Sequence, residues 1–428
     1  MEKQLYRRRL VELIMFQKRP FVLATIAVLL ATALAFSRIP STHPLIPCQK
    51  PADWPTFRAN QTRTGSLDRI DGPSTPRILW TFRETTAAPS DFSSSPAILG
   101  NRAYVASANL DVVSRSGFIY CLDATTGQKV WQVPTSQEVY SSPAVVDGRV
   151  YVGEGLHENT GSLFRCLDAR NGDLLWQFKV GSHAESPPTV KDGRVYFGAG
   201  DDGIYCLNAI TGQKIWQFPG YHIDESPVIS GDILLVGTGY DRASYLALSA
   251  KTGELLWRRD MEASVWGTSA LAGDCVYFGL SNAQVGGAGP ADLGKVYCLN
   301  IKNGEDIWTA KLPRAVGTSM VIADDQFFFG CWDGNIYCLN RHSGKEIWKN
   351  PTHGPLNSSP AIDSKRLYIG TTTGEVLAIN RSDGQIIWNL PLPTSAIDPC
   401  QILSSPALVN GRLYLGATDN QFICIGNQ

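Results

Sequence analysis

Apolar residues along most of this 428-residue chain recur in short runs that polar residues and turn dipeptides separate. In one stretch the pair Asp147-Gly148 separates the first two of four such runs, which are 141–146, 149–153, 163–168 and 174–178. An Asp-Gly pair between apolar runs is a strong hairpin signal because it supplies the positive φ of a tight turn. No window after residue 50 has the apolar spacing of a long amphipathic helix. The pattern therefore predicts units of four short antiparallel strands.

Eight tryptophans mark copies of this unit at intervals of 40 to 51 residues, and each ends a similar phrase. The clearest copy is IYCLNAITGQKIW, from Ile204 to Trp216. The eight residues are Trp80, Trp131, Trp176, Trp216, Trp257, Trp308, Trp348 and Trp388. A self-similar period near 40 is typical of repeated supersecondary units, and four-stranded units around a central channel form a β-propeller. We therefore predict an all-β fold, an eight-bladed β-propeller of four-stranded blades.

Each end of the repeat region holds an incomplete unit. The last unit has strand patterns at 405–408, 412–416 and 421–425 but no fourth. The segment Arg77–Phe82 has the pattern of a fourth strand without the first three. Joining the two would complete an eighth blade and leave no unpaired strand edge. We therefore expect an N-terminal strand to close the ring.

The residues before the repeats differ in composition from the rest of the chain. Residues 1–19 are basic, residues 21–36 are uncharged and apolar, and residues 38–77 are rich in proline. This predicts a cytoplasmic basic leader at 1–19, a transmembrane anchor or signal helix at 20–37, and a stalk and lead-in at 38–77, before the propeller at 78–428. An uncleaved anchor would hold the propeller on the outer side of the cytoplasmic membrane, in the periplasm or exterior. Cleavage near 33–35 would instead release a secreted protein.

The phrase Cys-Leu-Asp-Ala-x-x-Gly-x-x-x-Trp, as at Cys121–Trp131, resembles the tryptophan-docking motif of the pyrroloquinoline-quinone (PQQ) repeat family. The resemblance covers roughly residues 53 to 428, and the opening Asp53–Arg58 is similar to the lead-in of such propellers. It implies that each tryptophan packs between neighbouring blades. Members include quinoprotein alcohol dehydrogenases and the propeller lipoprotein of the outer-membrane β-barrel assembly machinery. The resemblance therefore implies either an enzyme or a binding scaffold.

Charge and cysteine content narrow the function classes. The net charge is −1, from 38 basic and 39 acidic residues, which gives no electrostatic footprint for nucleic acid. There is no Cys-x-x-Cys, and this excludes a haem c attachment site, a zinc ribbon and a thioredoxin motif. Of ten cysteines, six share one third-strand position and should be buried apolar side chains: Cys121, Cys166, Cys206, Cys298, Cys338 and Cys424. Near the ring closure Cys48 could form a disulfide with Cys400, and Cys331 is the competing partner.

Candidate site residues collect in the loops that lead into the first strands. A serine occupies one position in all eight units, where its hydroxyl should cap local backbone groups. The residue before it carries a hydroxyl in six units and is Glu185 or Glu225 in two neighbouring ones, each with a histidine close in sequence. We interpret these residues as a solvated polar rim without a metal. The alternative is a cation site built from His183, Glu185, His222, Asp224 and Glu225.

The quinoprotein resemblance implies a quinone that lies between a tryptophan and a disulfide of adjacent cysteines, over a calcium ion. This chain has no adjacent cysteine pair, although Trp266 could stack on a quinone with Glu185 and Glu225 as further cofactor residues. We therefore predict no catalytic residues, no cofactor and a non-enzymatic protein-interaction scaffold. Its partners would be the membrane, through the N-terminal helix, and an envelope or secreted protein. Length variation at 108–116, 154–161 and 282–293 marks the expected working face. The alternative function is a PQQ- and calcium-dependent oxidoreductase.

Overall fold

Eight antiparallel sheets make up the fold. The computed structural model describes residues 53–65, 71–85, 90–109, 115–157, 159–239, 242–281, 294–393 and 400–428. These residues confirm the eight-bladed, four-stranded β-propeller, and none of them lies in an α-helix. Within these ranges no helix has the length and apolarity needed to cross a membrane. The anchor or signal helix expected at 20–37 lies outside the described residues.

Seven blades follow one another along the chain, with the strands of each in sequence order. The first strands of neighbouring blades contact one another, so they line the centre of the ring. Blades 1 to 4 consist of Ala97–Leu99, Arg102–Asn109, Gly117–Asp123 and Lys129–Thr135; Ala144–Val146, Arg149–Gly153, Leu163–Asp168 and Leu174–Lys179; Thr189–Lys191, Arg194–Gly198, Ile204–Asn208 and Lys214–Phe218; and Val228–Ser230, Ile233–Gly237, Ser244–Ser249 and Leu255–Asp260. Blades 5 to 7 consist of Ala270–Ala272, Cys275–Gly279, Gly294–Asn300 and Asp306–Leu312; Val321–Ala323, Gln326–Gly330, Asn335–Asn340 and Glu346–Pro351; and Ala361–Ile362, Arg366–Gly370, Glu375–Asn380 and Ile386–Pro391. The short strand Ser90–Asp91 also pairs with the second strand of blade 1.

Blade 8 combines strands from both ends of the described chain. Its first three strands are Ala407–Val409, Arg412–Ala417 and Gln421–Asn427. The strand Pro76–Phe82 pairs antiparallel with the third of these, and Trp80 lies opposite Cys424. The same Trp-opposite-Cys register recurs in blade 3, at Trp216 and Cys206.

The repeat tryptophans join neighbouring blades, as the family resemblance implies. Each indole Nε1 donates a hydrogen bond of 2.8 to 3.3 Å to a backbone carbonyl, which belongs to the next blade for seven of them and to Pro73 for Trp388. The glycine of the phrase lies against the ring of the preceding blade. At Gly212, where φ is 71°, an added Cβ would lie 2.6 Å from the Trp176 ring. The phrase therefore needs glycine for both its positive φ and its close contact with the indole.

The six third-strand cysteines are fully buried and free, which confirms their interpretation as apolar packing residues. Burial raises the pKa of the Cys206 thiol to about 12, so it stays neutral near pH 7. Cys331 and Cys400 are also buried, and neither forms a disulfide with another described cysteine. Cys48 lies outside the described residues, so its disulfide with Cys400 stays a prediction.

The eight repeated serines link the inner strands around the channel. The backbone N–H of Ser405 donates to Ser95 Oγ at 2.8 Å, and that of Ser95 donates to Ser142 Oγ at 3.0 Å. Bonds of the same kind join Ser319 to Ser359 and Ser359 to Ser405. Seven of the eight hydroxyls bond to backbone groups, as expected, whereas the Ser269 hydroxyl donates to the Glu225 carboxylate.

Residues 53–65, from the segment expected to be stalk and lead-in, cross the central channel. Trp54 pairs with Ile98 of blade 1, and the Pro55 carbonyl accepts the N–H of Val145 in blade 2. The carbonyls of residues 62, 64 and 65 accept N–H groups from the first strands of blades 5, 6 and 7. The lead-in therefore satisfies inner-strand N–H groups that would otherwise face the channel.

Two arginines of the lead-in are almost fully buried in the channel. Arg63 donates to Pro188 O at 2.9 Å, to Thr189 Oγ1 at 2.6 Å and to Ser226 Oγ at 2.8 Å. Arg58 donates to the carbonyls of blades 6 and 7. Burial lowers the pKa of both guanidiniums to about 9, so both stay charged at neutral pH. In the described part of the chain, their hydrogen bonds go to carbonyl and hydroxyl oxygens and not to carboxylates. Because these acceptors belong to blades 3, 4, 6 and 7, the two guanidiniums bind the lead-in to several blades.

Candidate functional site

A group of histidines and carboxylates lies at one end of the channel, where loops of blades 2, 3 and 4 meet. His157 lies between the second and third strands of blade 2. His183 and Glu185 lie in the loop from blade 2 to blade 3, and His222 and Asp224 lie in the loop from blade 3 to blade 4. In a propeller these two loop classes lie on the same face. The fold therefore brings together residues that are up to 67 positions apart in sequence.

Asp224 is the centre of this group. Its Oδ1 lies 2.9 Å from His183 Nε2, and its Oδ2 lies 2.7 Å from His222 Nε2. His157 Nδ1 lies 3.6 Å from Asp224 Oδ2, and His157 Nε2 lies 3.7 Å from Glu185 Oε1. One nitrogen or oxygen from each of His157, His183, His222 and Asp224 lies within 4.8 Å of all the others. We call these four residues the His/Asp cluster.

A second layer of side chains orients the His/Asp cluster. Asp201 Oδ1 lies 2.7 Å from His222 Nδ1, and Ser182 Oγ lies 3.2 Å from His183 Nδ1. The Trp266 ring lies 6.1 Å from the His157 ring between centroids. A pocket of about 280 Å³ opens beside His222 and is lined by Asp201, Gly220, Tyr221, His222, Gly239 and Arg242. Asp201 and Ser182 thus orient two of the histidines, and the pocket beside His222 connects the cluster to solvent.

The group contains a strongly coupled charge pair. Burial disfavours charge on His222, but hydrogen bonds and charge from Asp224 and Asp201 outweigh it and raise the His222 pKa to about 9. Burial also disfavours charge on Asp224, yet the hydrogen bonds from His183 and His222 hold its pKa well below the usual range. At neutral pH His222 is therefore a cation paired with the Asp224 anion.

The two residues on the other side of the group titrate differently. Burial lowers the pKa of His157, so its imidazole is neutral near pH 7 and has a lone pair to offer. Burial raises the pKa of Glu185 well above its usual value, and the Asp224 charge adds to the shift. Burial and the Asp224 charge thus favour the neutral form of the Glu185 carboxyl, whereas the hydrogen bonds to Asp224 favour its charged form.

Glu225, which sequence analysis grouped with the cation candidates, does not join the cluster. Its carboxylate accepts the N–H of Gly237 and both the N–H and the hydroxyl of Ser269, the latter two at 2.8 and 2.6 Å. Glu225 is 1% exposed, and burial raises its pKa to about 7. Gly330 of blade 6 occupies the repeat position of Gly237, and its N–H donates to the Thr318 hydroxyl at 2.8 Å. Glu225 thus replaces that hydroxyl and links blade 4 to blade 5.

The structure brings together His183, Glu185, His222 and Asp224, and it adds His157, which sequence analysis missed. His157 lies in the insertion at 154–161 and belongs to no repeated phrase. His157 could have been found only from the propeller topology, because that topology places the insertion on the same face as the loops that lead into blades 3 and 4. The side chains are also less solvated than the predicted rim, since the exposed fraction is 0% for His183 and 13% for Asp224.

The residues here do not fit the quinone and calcium pair of the quinoprotein enzymes. Calcium prefers roughly six to eight oxygen ligands, whereas three of the four cluster donors are imidazole nitrogens. Glu225 is bonded to backbone and hydroxyl donors, and His157 lies beside Trp266. The sequence has no adjacent cysteine pair. Imidazole and carboxylate together suit a first-row transition metal better.

A family model covers nearly all of the repeat region. It is PQQ_2, described as "Outer membrane protein assembly factor BamB", and it matches residues 63–160, 117–239, 159–328 and 332–427. The curated BamB of Yersinia pestis is 23% identical over 262 residues, which are 60% of this chain and 53% of that protein. The tetrathionate hydrolase of Acidithiobacillus ferrooxidans is 23% identical over 208 residues, 47% of this chain and 35% of that protein. The chain thus spans about half or less of the length of these relatives.

Solved structures of a BamB and of an alcohol dehydrogenase share the fold. BamB from Moraxella catarrhalis superposes with a TM-score of 0.65 at 18% identity, over 82% of this chain and 98% of that one. The quinohemoprotein alcohol dehydrogenase from Comamonas testosteroni superposes with a TM-score of 0.71 at 14% identity, over 88% of this chain and 81% of that one. At these identities the similarity shows the fold and does not choose between the two functions.

Proposed function

Because this chain belongs to the PQQ_2 propeller family, we propose that it is a non-enzymatic scaffold for envelope protein assembly. The propeller would act in the periplasm or exterior, tethered to the membrane through residues 20–37. The strand Pro76–Phe82 would close the ring, since it pairs with the last strand of the described chain. The match to a model described as an assembly factor supports this role, and the surface of the propeller supports it independently.

The observation that carries the proposal is an uneven distribution of exposed apolar side chains. Ten large apolar residues are exposed in the described part of the chain: blades 1 to 7 each have one directly before the repeat tryptophan, and the three consecutive blades 2, 3 and 4 each have a second, so that six of the ten lie there. These six are Leu174, Leu175, Ile210, Ile215, Leu255 and Leu256. Single exposed apolar residues are ordinary, but a concentration of them marks an interaction surface. We call these six residues the apolar band.

The apolar band lies on or beside the outer strands, which end each blade with a free edge. In Leu174–Lys179 the side chain of Trp176 packs inward while Leu174 and Leu175 are 50% and 45% exposed. A free edge offers unpaired N–H and C=O groups, and an extended peptide can add to it as a further strand. The occupant that fits is therefore a protein segment with apolar side chains in β conformation, such as a strand awaiting assembly into a β-barrel.

Site-specific photo-cross-linking in the native host tests this surface. A photoreactive residue at Leu175 should cross-link to an envelope protein, because that position lies in the apolar band. Ile387 is the matched control, since it also precedes a repeat tryptophan and is 46% exposed, but it lies on blade 7. Equal cross-linking at both positions, or none at Leu175, would contradict the proposed surface.

Spectroscopic titration of the purified chain with PQQ and calcium tests the enzymatic alternative. The imidazole-rich cluster and the backbone-bonded Glu225 predict no calcium-dependent quinone uptake. Tight uptake together with dye-linked alcohol oxidation would replace the scaffold by an oxidoreductase and would make Trp266, Glu185 and Glu225 its first candidate residues.

A further inference from the structure

We propose that the His/Asp cluster binds one divalent first-row transition-metal ion, with zinc as the best-fitting chemistry. The ligands would be His157, His183, His222 and Asp224. This site is independent of the scaffold role, because neither the apolar band nor the outer strands take part in it.

The donor set is the first argument. Three imidazoles and one carboxylate form a ligand set typical of zinc and of other first-row transition ions. The chain has six histidines, and three of them meet at this one point from three different loops. The ring centroids of these three histidines lie 5.1 to 5.5 Å apart. Such convergence differs from the surface contact of His342 with Asp325 in blade 6, where a single histidine takes part.

The spacing of the donor atoms is the second argument. Zinc bonds of about 2.0–2.1 Å in a tetrahedron place neighbouring ligand atoms about 3.3 Å apart. Asp224 Oδ2 lies 2.7 Å from His222 Nε2 and 3.6 Å from His157 Nδ1, Asp224 Oδ1 lies 2.9 Å from His183 Nε2, and one donor atom from each of the four residues lies within 4.8 Å of the others. These distances lie on both sides of the tetrahedral value. Small side-chain rotations would therefore exchange the present hydrogen bonds for bonds to one central ion.

The surroundings are the third argument. Histidine ligands of a metal usually donate their second N–H to an oxygen, often a carboxylate, which fixes the tautomer and the ring orientation. Asp201 and Ser182 occupy these positions for His222 and His183. Glu185 Oε1 lies 3.7 Å from His157 Nε2, the ring nitrogen that faces away from Asp224, so Glu185 holds the corresponding position beside His157. The pocket beside His222 gives an ion access from solvent.

The ligand count indicates a structural role. Four protein ligands close a tetrahedral zinc site, whereas catalytic sites keep a position for water. An ion here would tie the blade 2 insertion at 154–161 to the loops that lead into blades 3 and 4. It would thereby order the face on which the loop insertions collect.

Cobalt and zinc titration of the chelator-treated full chain tests the site. Co²⁺ should bind at one ion per chain with the intense visible absorption of a tetrahedral complex, and Zn²⁺ should displace it and abolish that absorption. Thermal unfolding should shift upward when Zn²⁺ is added. A chain that binds no Co²⁺, or that gives only the weak spectrum of an octahedral complex, would overturn the proposal.

Variants locate the ion. His157→Ala is the main test because His157 is partly exposed in a loop, so the fold should survive, as circular dichroism would verify. It should remove the tetrahedral spectrum and the zinc-dependent thermal shift, while His342→Ala should leave both unchanged. Asp201→Asn should weaken Co²⁺ binding about 10–100-fold by loosening His222. Equal losses in His157→Ala and His342→Ala, or no loss in His157→Ala, would refute a site at the cluster.

Discussion

Replacing one repeat tryptophan by alanine tests how the blades are held together. Trp216 ends the phrase of blade 3, is 8% exposed and packs against Tyr196 with ring centroids 5.9 Å apart. Its Nε1 donates to the carbonyl of Ala250 in blade 4 at 3.2 Å. Trp216→Ala therefore removes both a large buried ring and a bond between two blades.

The size of the effect follows mainly from packing. Emptying a buried aromatic site typically costs about 3–5 kcal/mol of unfolding free energy. The lost hydrogen bond adds little, because the Ala250 carbonyl also accepts from Tyr196 Oη at 3.1 Å and from Arg194 Nη1 at 3.2 Å. The carbonyl is thus not left unsatisfied. We expect a total loss of about 3–5 kcal/mol, most of it from the vacated volume.

Urea denaturation measures this loss when unfolding is monitored by far-UV circular dichroism, a signal that reports the backbone. The control is Trp266→Ala, which removes the same side chain from a partly exposed loop position. Its cost should be clearly smaller, about 1 kcal/mol, because little buried volume is lost. Equal denaturation midpoints for the two variants would refute the distinction between packing and loop tryptophans.

Three further predictions concern the closure, the lead-in and the buried thiols. Deleting residues 53–84 should lower the melting temperature or cause aggregation, and a melting curve like that of the intact chain would show that this segment does not close the ring. Arg63→Ala should speed proteolysis of the lead-in, because it removes three hydrogen bonds that hold the lead-in to buried oxygens of blades 3 and 4; an unchanged cleavage rate would contradict this. The folded-state pKa of Cys206 is raised to about 12, so its stabilisation is complete below about pH 9 and is lost as pH rises from there towards 12. Between pH 7 and pH 10 the unfolding free energy of Cys206→Ala should therefore fall by about 1 kcal/mol less than that of the parent. An equal fall in both proteins would refute the raised pKa of the Cys206 thiol.

The strand order of the blades could be predicted because the sequence of each repeat contains the strand and turn signals in that order. The phrase from Ile204 to Trp216 contains the third strand, a glycine with positive φ and the fourth strand, and the structure places all three as expected. The interblade bond of Trp216 could be anticipated only through the family resemblance. Its acceptor, the Ala250 carbonyl, lies 34 residues away and has no side-chain signature.

The candidate site was harder to predict because its residues come from positions where the repeat breaks down. Glu185 and Glu225 replace hydroxyl residues at the same repeat position, yet only Glu185 reaches the histidines, while Glu225 turns to the N–H groups of blades 4 and 5. Sequence position alone cannot tell these directions apart. The lead-in gave a similar difficulty, since the burial of Arg58 and Arg63 depends on carbonyls from distant blades.

The measurement that tests the central claim most directly is the abundance of membrane-inserted β-barrel proteins in the native host. A strain that lacks this chain should contain less of them, and the full-length chain should restore the level. A chain with charged replacements at Leu175 and Leu256 should fail to restore it, while the matched replacement at Ile387 should succeed. Unchanged β-barrel levels in the deletion strain would contradict the scaffold, as would full restoration by the Leu175 and Leu256 variant.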